Sequence, residues 1–126
     1  MDNNSLFKVL FLGSSEVGKT SIINAIFNCC EFSEYIPPTI SPLTLTSKIP
    51  YSLFDIQFTD TVGEPRYRHL NKPFYKIEYT YVLLVYDISS RDTFDELKTF
   101  FIPLLENNIT TQQSKSYKFV YSFTFN

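Results

Sequence analysis

The stretch with the clearest chemistry is Gly13–Thr20, which has the pattern G-x-x-x-x-G-K-T. Glycines let the backbone wrap around a phosphate chain with successive N–H groups directed inward. Lys19 adds a mobile positive charge for the terminal phosphates, and the hydroxyl of Thr20 is a suitable ligand for Mg²⁺. The sequence therefore predicts a loop that binds the phosphates of a nucleotide.

The segments on either side of this loop have the character that the motif requires. Leu6–Leu12 is an apolar run that predicts a buried strand, and Ser21–Phe27 is apolar at helical spacing. A helix that begins at the loop directs the positive end of its dipole toward a bound anion. Strand, loop and helix in this order make a chance glycine-rich turn a poor explanation of the pattern.

A second candidate phosphate-binding segment, Asp60–Gly63, follows a strand predicted over Leu53–Thr59. A carboxylate at Asp60 can hold Mg²⁺ through water, and the N–H of Gly63 can approach a terminal phosphate. Thr39 lies in a proline-rich loop between the two segments, where a hydroxyl could close over the metal. Because the carboxyl ends of parallel strands share one edge of a sheet, we expect these groups to meet there.

The remaining pattern predicts an α/β fold with a mostly parallel sheet and flanking helices. Tyr79–Tyr86, ending at Asp87, is typical of a strand buried on both faces. Other predicted elements are an antiparallel partner strand at Leu43–Ile49, a helix-like stretch at Glu64–Glu78 that Pro73 interrupts, a polar loop at Asn107–Ser116 and a last strand at Tyr117–Phe125.

One long helix is predicted over Thr93–Glu106. Ser90 or Asp92 can cap its beginning, and Pro103 should kink or shorten it. The aromatic residues of this helix are assigned to the core: Phe94, Phe100 and Phe101.

Length and composition restrict the classes of protein. The 126 residues are 44% hydrophobic and 19% charged, which suits a single domain, residues 1–126. A formal net charge of −2 gives no indication of a nucleic-acid partner. Cys29 and Cys30 are adjacent and no signal peptide precedes them, so we expect reduced cysteines in a cytoplasmic protein. No lipidation motif is present in the sequence.

In combination, these motifs resemble those of the Ras superfamily of small GTPases, and its Rab-like branch best. Gly13–Ser21 resembles G-x-x-x-x-G-K-[ST]-S, and Tyr35–Ile40 resembles the first switch, with Thr39 as its threonine. Asp60–Arg68 resembles the second switch, D-T-A-G-Q-E-R-[FY]-R, and Leu84–Ile88 with Thr93-Phe94 resembles L-V-Y-D-I…S-F.

The resemblance implies a Ras-like P-loop fold and a switch that binds GTP or GDP with Mg²⁺ and hydrolyses GTP. By resemblance, Thr20, Thr39 and Asp60 hold the metal, Lys19 serves catalysis, and effector or regulator proteins bind the switch loops. The residues implied in nucleotide contact are Gly13, Ser15, Glu16, Val17, Gly18, Lys19, Thr20, Ser21, Phe32 (on the guanine), Thr39 and Gly63.

Three departures from the family pattern modify these expectations. Glu64 stands where relatives use glutamine to orient the attacking water, and Pro65 biases it away from helical angles. A carboxylate there brings negative charge toward an anionic transition state, so we expect weak intrinsic hydrolysis. Glu16 adds a carboxylate to the phosphate loop, where only its backbone N–H need face the nucleotide.

The third departure is that the base-reading motifs N-K-x-D and S-A-K are not in the sequence. We therefore expect a fold that is incomplete at its C-terminus, and guanine preference rests on the family alone. Three other hypotheses remain: a degenerate relative that serves as an interaction module, a fragment without independent function, and a P-loop ATPase or kinase. The ATPase reading does not explain Thr39 and Asp60–Gly63 together.

Overall fold

A computed structural model describes residues 5–27, 42–48, 54–108, 110–111 and 117–122. Five strands form one sheet in the order β2-β3-β1-β5-β7. Four of them pair in parallel, and β2 is antiparallel to β3. The strands of this sheet are β1 (Ser5–Leu12), β2 (Leu43–Lys48), β3 (Phe54–Asp60), β5 (Tyr81–Asp87) and β7 (Tyr117–Ser122).

Between the strands lie helical segments and a second, small sheet. Helix α1 spans Lys19–Phe27, and a 3-10 helix spans Pro65–Lys76. A continuous helical stretch follows β5: α2 (Arg91–Glu96), a π-helical turn (Leu97–Phe101) and α3 (Ile102–Asn108). Strands β4 (Glu78–Tyr79) and β6 (Thr110–Thr111) pair in parallel in the small sheet.

Alternating residues of β1 and β5 build a core on each face of the main sheet. Leu10, Leu12, Val82 and Leu84 are buried toward the helical stretch 91–108, which contributes Leu97, Phe101 and Leu105. Phe11 and Val85 face the other way and pack with Ile23 of α1. The central strands are thus buried on both faces, which confirms the predicted α/β architecture with a mostly parallel sheet.

The prediction of one continuous strand over Tyr79–Tyr86 is wrong, because the run is divided at Thr80. The N–H of Thr80 donates to the Lys8 carbonyl (2.8 Å), and its hydroxyl accepts from the Lys8 N–H (3.1 Å). Tyr79, on the other side of the break, is fully buried, and its hydroxyl donates to the Phe74 carbonyl (2.6 Å).

Pro73 does not interrupt the helical stretch after β3, because the stretch is a 3-10 helix with Pro73 inside it. The predicted loop Asn107–Ser116 is also partly wrong, since α3 continues to Asn108 and Thr110–Thr111 form β6. Residues 123–125, predicted to end the last strand, lie outside the described residues.

The long helix differs from its prediction at both ends. Ser90 takes the N-cap position without a side-chain cap, and Asp92 lies inside the first turn. The Thr93 hydroxyl instead accepts from the Asp87 N–H (2.9 Å) and donates to the Ser90 carbonyl (2.7 Å). Pro103 follows the π-helical turn without ending the helix.

The assignment of Phe100 to the core is wrong. Phe100 is 39% exposed, whereas Phe101 is 1% exposed. Successive residues of a helix point in directions about 100° apart, so only one of two adjacent rings can face the sheet. In the part of the chain that the structure describes, no helix has the length and apolarity needed to span a membrane.

Candidate phosphate and magnesium site

The loop Gly13–Gly18 connects the end of β1 to the start of α1, as the motif predicts. Glu16 and Gly18 have positive φ values of 63° and 104°. In a loop, residues with positive φ turn successive backbone N–H groups toward one side. These N–H groups then form an anion-binding concavity. Glu16 is exposed, so its carboxylate does not occupy the interior of the loop.

Gly13 is required by the close approach of β5. A Cβ atom at this position would lie 2.3 Å from the Val85 carbonyl oxygen. The backbone of β5 therefore packs directly against the start of the loop. A residue with a side chain at this position would force one of the two segments to move.

Lys19 is buried at the base of the loop, with 5% of its surface exposed. Its Nζ donates to the carbonyl oxygens of Gly13 and Ser14, each at 2.9 Å. Burial lowers the pKa of Lys19 to about 8, although the nearby Asp60 carboxylate acts in the opposite direction. A bound anion would stabilise the ammonium form, so the site favours a negatively charged ligand.

Thr20 and Asp60 are brought together from positions 40 residues apart. The Thr20 hydroxyl donates to Oδ2 of Asp60, which is the last residue of β3 and is 3% exposed. A hydroxyl and a carboxylate are hard oxygen ligands, and Mg²⁺ in nucleotide sites uses one or two protein ligands with waters and phosphate oxygens. The residues present therefore fit this ion.

Gly63 lies against the phosphate loop. A Cβ atom here would be 2.5 Å from the Ser14 carbonyl carbon and the Ser15 nitrogen. The segment that leads to it is anchored to β1, because the Thr61 hydroxyl donates to the Phe11 carbonyl (2.6 Å). The two candidate phosphate-binding segments thus meet at the carboxyl edge of the sheet, as expected from the sequence.

Three residues to which the sequence analysis gave no role of their own join this site: Ser14, Arg68 and Glu96. The Ser14 hydroxyl donates to Oε1 of Glu96 (2.7 Å), and the same oxygen pairs with the Arg68 guanidinium. These contacts span 82 and 28 residues, and no spacing in a single sequence signals them.

A depression of about 360 Å³ lies at the end of β5. Its acidic residue, Asp87, accepts from the Ser89 N–H (2.9 Å) and the Ser89 hydroxyl (2.6 Å). The carboxylate therefore serves the local turn. Among the described residues, no cluster of three or more His, Cys, Asp or Glu side chains suggests another metal site.

Comparison with known proteins agrees with this geometry. A model of the Ras family matches residues 8–120. The chain belongs to the Ras family. It is 39% identical over 98 residues to Ras-related protein Rab7 of Cenchrus ciliaris and of Pisum sativum, and 38% identical to Ras-related protein RABG3e of Arabidopsis thaliana.

These three alignments each cover 76% of this chain and 47% of the relative. The chain therefore spans about half the length of the curated relatives that it matches. The similarity to Rab proteins confirms the Rab-like resemblance found in the motifs.

The first switch expected of a Ras-family chain cannot be compared with the structure, because Phe32 and Thr39 lie outside the described residues. Of the other predicted nucleotide contacts, Val17 is buried, and Ser15 and Ser21 are half-buried in or beside the loop.

Glu64, which stands where the family pattern has glutamine, has extended backbone angles (φ −64°, ψ 121°), as expected before Pro65. Its carboxylate lies 3.6 Å from Nε of Arg66, and its side chain is 36% exposed. The carboxylate is therefore directed to a surface arginine, and its position does not assign it to the reacting phosphate.

Proposed function

We propose that this chain is the phosphate- and magnesium-binding part of a small GTPase switch, which binds GDP and GTP. The observation that carries the proposal is the convergence of three groups on one loop. The buried Lys19 ammonium, the Thr20–Asp60 oxygen pair and the Gly63 backbone all lie in or against the loop Gly13–Gly18.

Each group has a role in this proposal. Lys19 neutralises the terminal phosphates, exchanging its bonds to two loop carbonyls for bonds to phosphate oxygens. Thr20 and Asp60 hold Mg²⁺, which would screen the charge of the phosphates when bound. The Gly63 N–H donates to the γ-phosphate, so this segment distinguishes GTP from GDP. Effector or regulator proteins would then recognise the switch surface.

We propose slow intrinsic hydrolysis of GTP. Glu64 pairs with Arg66 instead of orienting a water molecule, and it carries a negative charge where relatives have a neutral amide. Pro65 removes a backbone donor at the start of the 3-10 helix. Guanine selectivity is carried over from the family, because the base-reading motifs are not in the sequence.

The test is a titration of the purified 126-residue chain with fluorescent GDP and a fluorescent GTP analogue, with Mg²⁺ and with EDTA. We expect micromolar or tighter binding that weakens in EDTA and that GDP displaces better than ADP. A folded chain that binds neither nucleotide would contradict the proposal and favour an interaction module. Displacement by ADP as effective as by GDP would contradict the guanine assignment alone.

A further inference from the structure

Two side chains of the 3-10 helix reach back to the backbone around Gly63. Residues three apart in a 3-10 helix lie one above the other, so Arg68 and Asn71 share one side of it. Asn71 is fully buried, and the Arg68 side chain is 13% exposed. Their polar atoms contact the two peptide groups that flank Gly63.

Asn71 holds the peptide group before Gly63. Its Oδ1 accepts from the Val62 N–H, and its Nδ2 donates to the Val62 carbonyl, both at 2.9 Å. The Val62 carbonyl and the Gly63 N–H belong to one planar trans peptide and point in opposite directions. Holding the carbonyl toward Asn71 therefore directs the Gly63 N–H away from the 3-10 helix.

Arg68 holds the peptide group after Gly63. Its Nε donates to the Gly63 carbonyl (2.8 Å), and its guanidinium lies over the ring of Phe100 (4.6 Å). The Glu96 carboxylate that pairs with Arg68 also accepts from Ser14 of the phosphate loop. The arginine therefore links the Gly63 segment to the loop itself.

We propose that Asn71 and Arg68 are positioning residues that fix the Gly63 N–H as a donor for the terminal phosphate of a nucleoside triphosphate. Glu96 sets the place of this donor relative to the phosphate loop. The inference rests on the proposed function for its ligand. A donor that is already oriented requires no reorganisation when the ligand binds, so its loss weakens triphosphate binding and spares diphosphate binding.

The orientation can be tested without any nucleotide, because the sequence has only three glycines, Gly13, Gly18 and Gly63. In a sample labelled with ¹⁵N-glycine, we expect a rigid Gly63 amide, with an order parameter of about 0.85. Asn71→Leu and Arg68→Lys should lower it below about 0.6. Equal Gly63 order parameters in the variants and the wild type would contradict the proposed positioning by Asn71 and Arg68.

The controls make matched changes elsewhere. Asn107→Leu removes an exposed amide that donates to the Pro103 carbonyl (2.8 Å), and Arg91→Lys alters an exposed arginine paired with Asp95 (3.1 Å). Both substitutions should leave the order parameter of the Gly63 amide unchanged. If Asn71→Leu does not fold, Arg68→Lys and Glu96→Gln decide the question, since these side chains are not fully buried.

The second measurement is the ratio of affinities for GTPγS and GDP with Mg²⁺. We expect Asn71→Leu and Arg68→Lys to reduce this ratio about tenfold, the loss of one hydrogen bond to a charged group. If the two residues had a merely structural role, their substitution would weaken the binding of both nucleotides equally, and that result would overturn the inference. If the wild type binds no GDP, the proposed function fails. The order parameters still decide whether Asn71 and Arg68 fix the Gly63 amide.

Discussion

Lys19 gives the candidate site a pH dependence at the scale of a single residue. Burial lowers its pKa to about 8, and its Nζ is surrounded by carbonyl oxygens of the loop. Under the proposed function the ammonium form binds phosphate, and a bound phosphate would raise the pKa of Lys19 again. Above pH 8, binding must therefore take up a proton.

We expect the affinity for Mg²⁺–GDP to be nearly constant between pH 6.5 and 7.5 and to fall as the pH rises through about 8. The decrease should approach tenfold per pH unit above that value, because one proton is taken up for each nucleotide bound. Calorimetric titrations in buffers of different ionisation enthalpy measure this uptake directly. An affinity that stays constant up to pH 9.5 would contradict the role of Lys19.

Glu64 supports a prediction about hydrolysis. Glu64→Gln removes the negative charge and restores a side chain that orients water, so the single-turnover rate of GTP hydrolysis should rise about tenfold or more. Arg66→Gln, which removes the surface partner of Glu64, serves as the comparison. An unchanged rate in Glu64→Gln would show that this position does not limit hydrolysis.

Residues of the candidate site divide according to whether a known motif records them. Lys19, Thr20, Asp60 and Gly63 were identifiable because motifs record the spacing that phosphate and Mg²⁺ require. Asn71 had no such signal, because its role is to bond the backbone of Val62, and any buried asparagine does something similar. Ser14 and Glu96 meet only because the fold brings the phosphate loop next to α2.

At the scale of elements, β5 determines the shape of the phosphate loop. Gly13→Ala places a methyl group 2.3 Å from the Val85 carbonyl, so one of the two backbones must move. We expect a decrease of about 1–3 kcal/mol in the free energy of unfolding, measured by urea denaturation. Ser15→Ala in the same loop is the control and should be close to wild type. Equal stability of Gly13→Ala would contradict the close contact.

The helical stretch after β5 supports a second prediction at this scale. Phe101 is buried against the sheet, so Phe101→Ala should lower the free energy of unfolding by about 3–5 kcal/mol. Phe100→Ala should cost about 1–2 kcal/mol, since the ring is partly exposed and lies under Arg68. Urea denaturation of both variants measures these losses of unfolding free energy. A larger loss in Phe100→Ala than in Phe101→Ala would contradict the orientation of this helix.

Element types were largely predictable because β1 and β5 carry long apolar runs, β3 alternates apolar and polar residues, and α1 has a helical period. The failures occur where a local hydrogen bond overrides the pattern. Thr80 bonds Lys8 and divides a run of strand-forming residues, and the 3-10 geometry admits Pro73 into a helix. Propensity does not record either event.

At the scale of the whole molecule, the mostly parallel sheet with helices packed on it agrees with the predicted α/β pattern and with the Ras family match. The predicted architecture is therefore confirmed for the residues that the structure describes. Phe32 and Thr39, which the family resemblance implies in nucleotide contact, lie outside those residues. The phosphate loop and its partners from β3 and the 3-10 helix carry the functional proposal.

The most direct test of that proposal is calorimetric titration of the 126-residue chain and of Lys19→Met with Mg²⁺–GDP. We predict micromolar or tighter binding to the wild type, and a loss of about a hundredfold or more in the variant, which lacks the charge–phosphate contact. Thermal unfolding of both proteins shows that the variant is folded. A wild-type chain that binds no nucleotide, or a folded variant that binds equally well, would contradict a phosphate site built around Lys19.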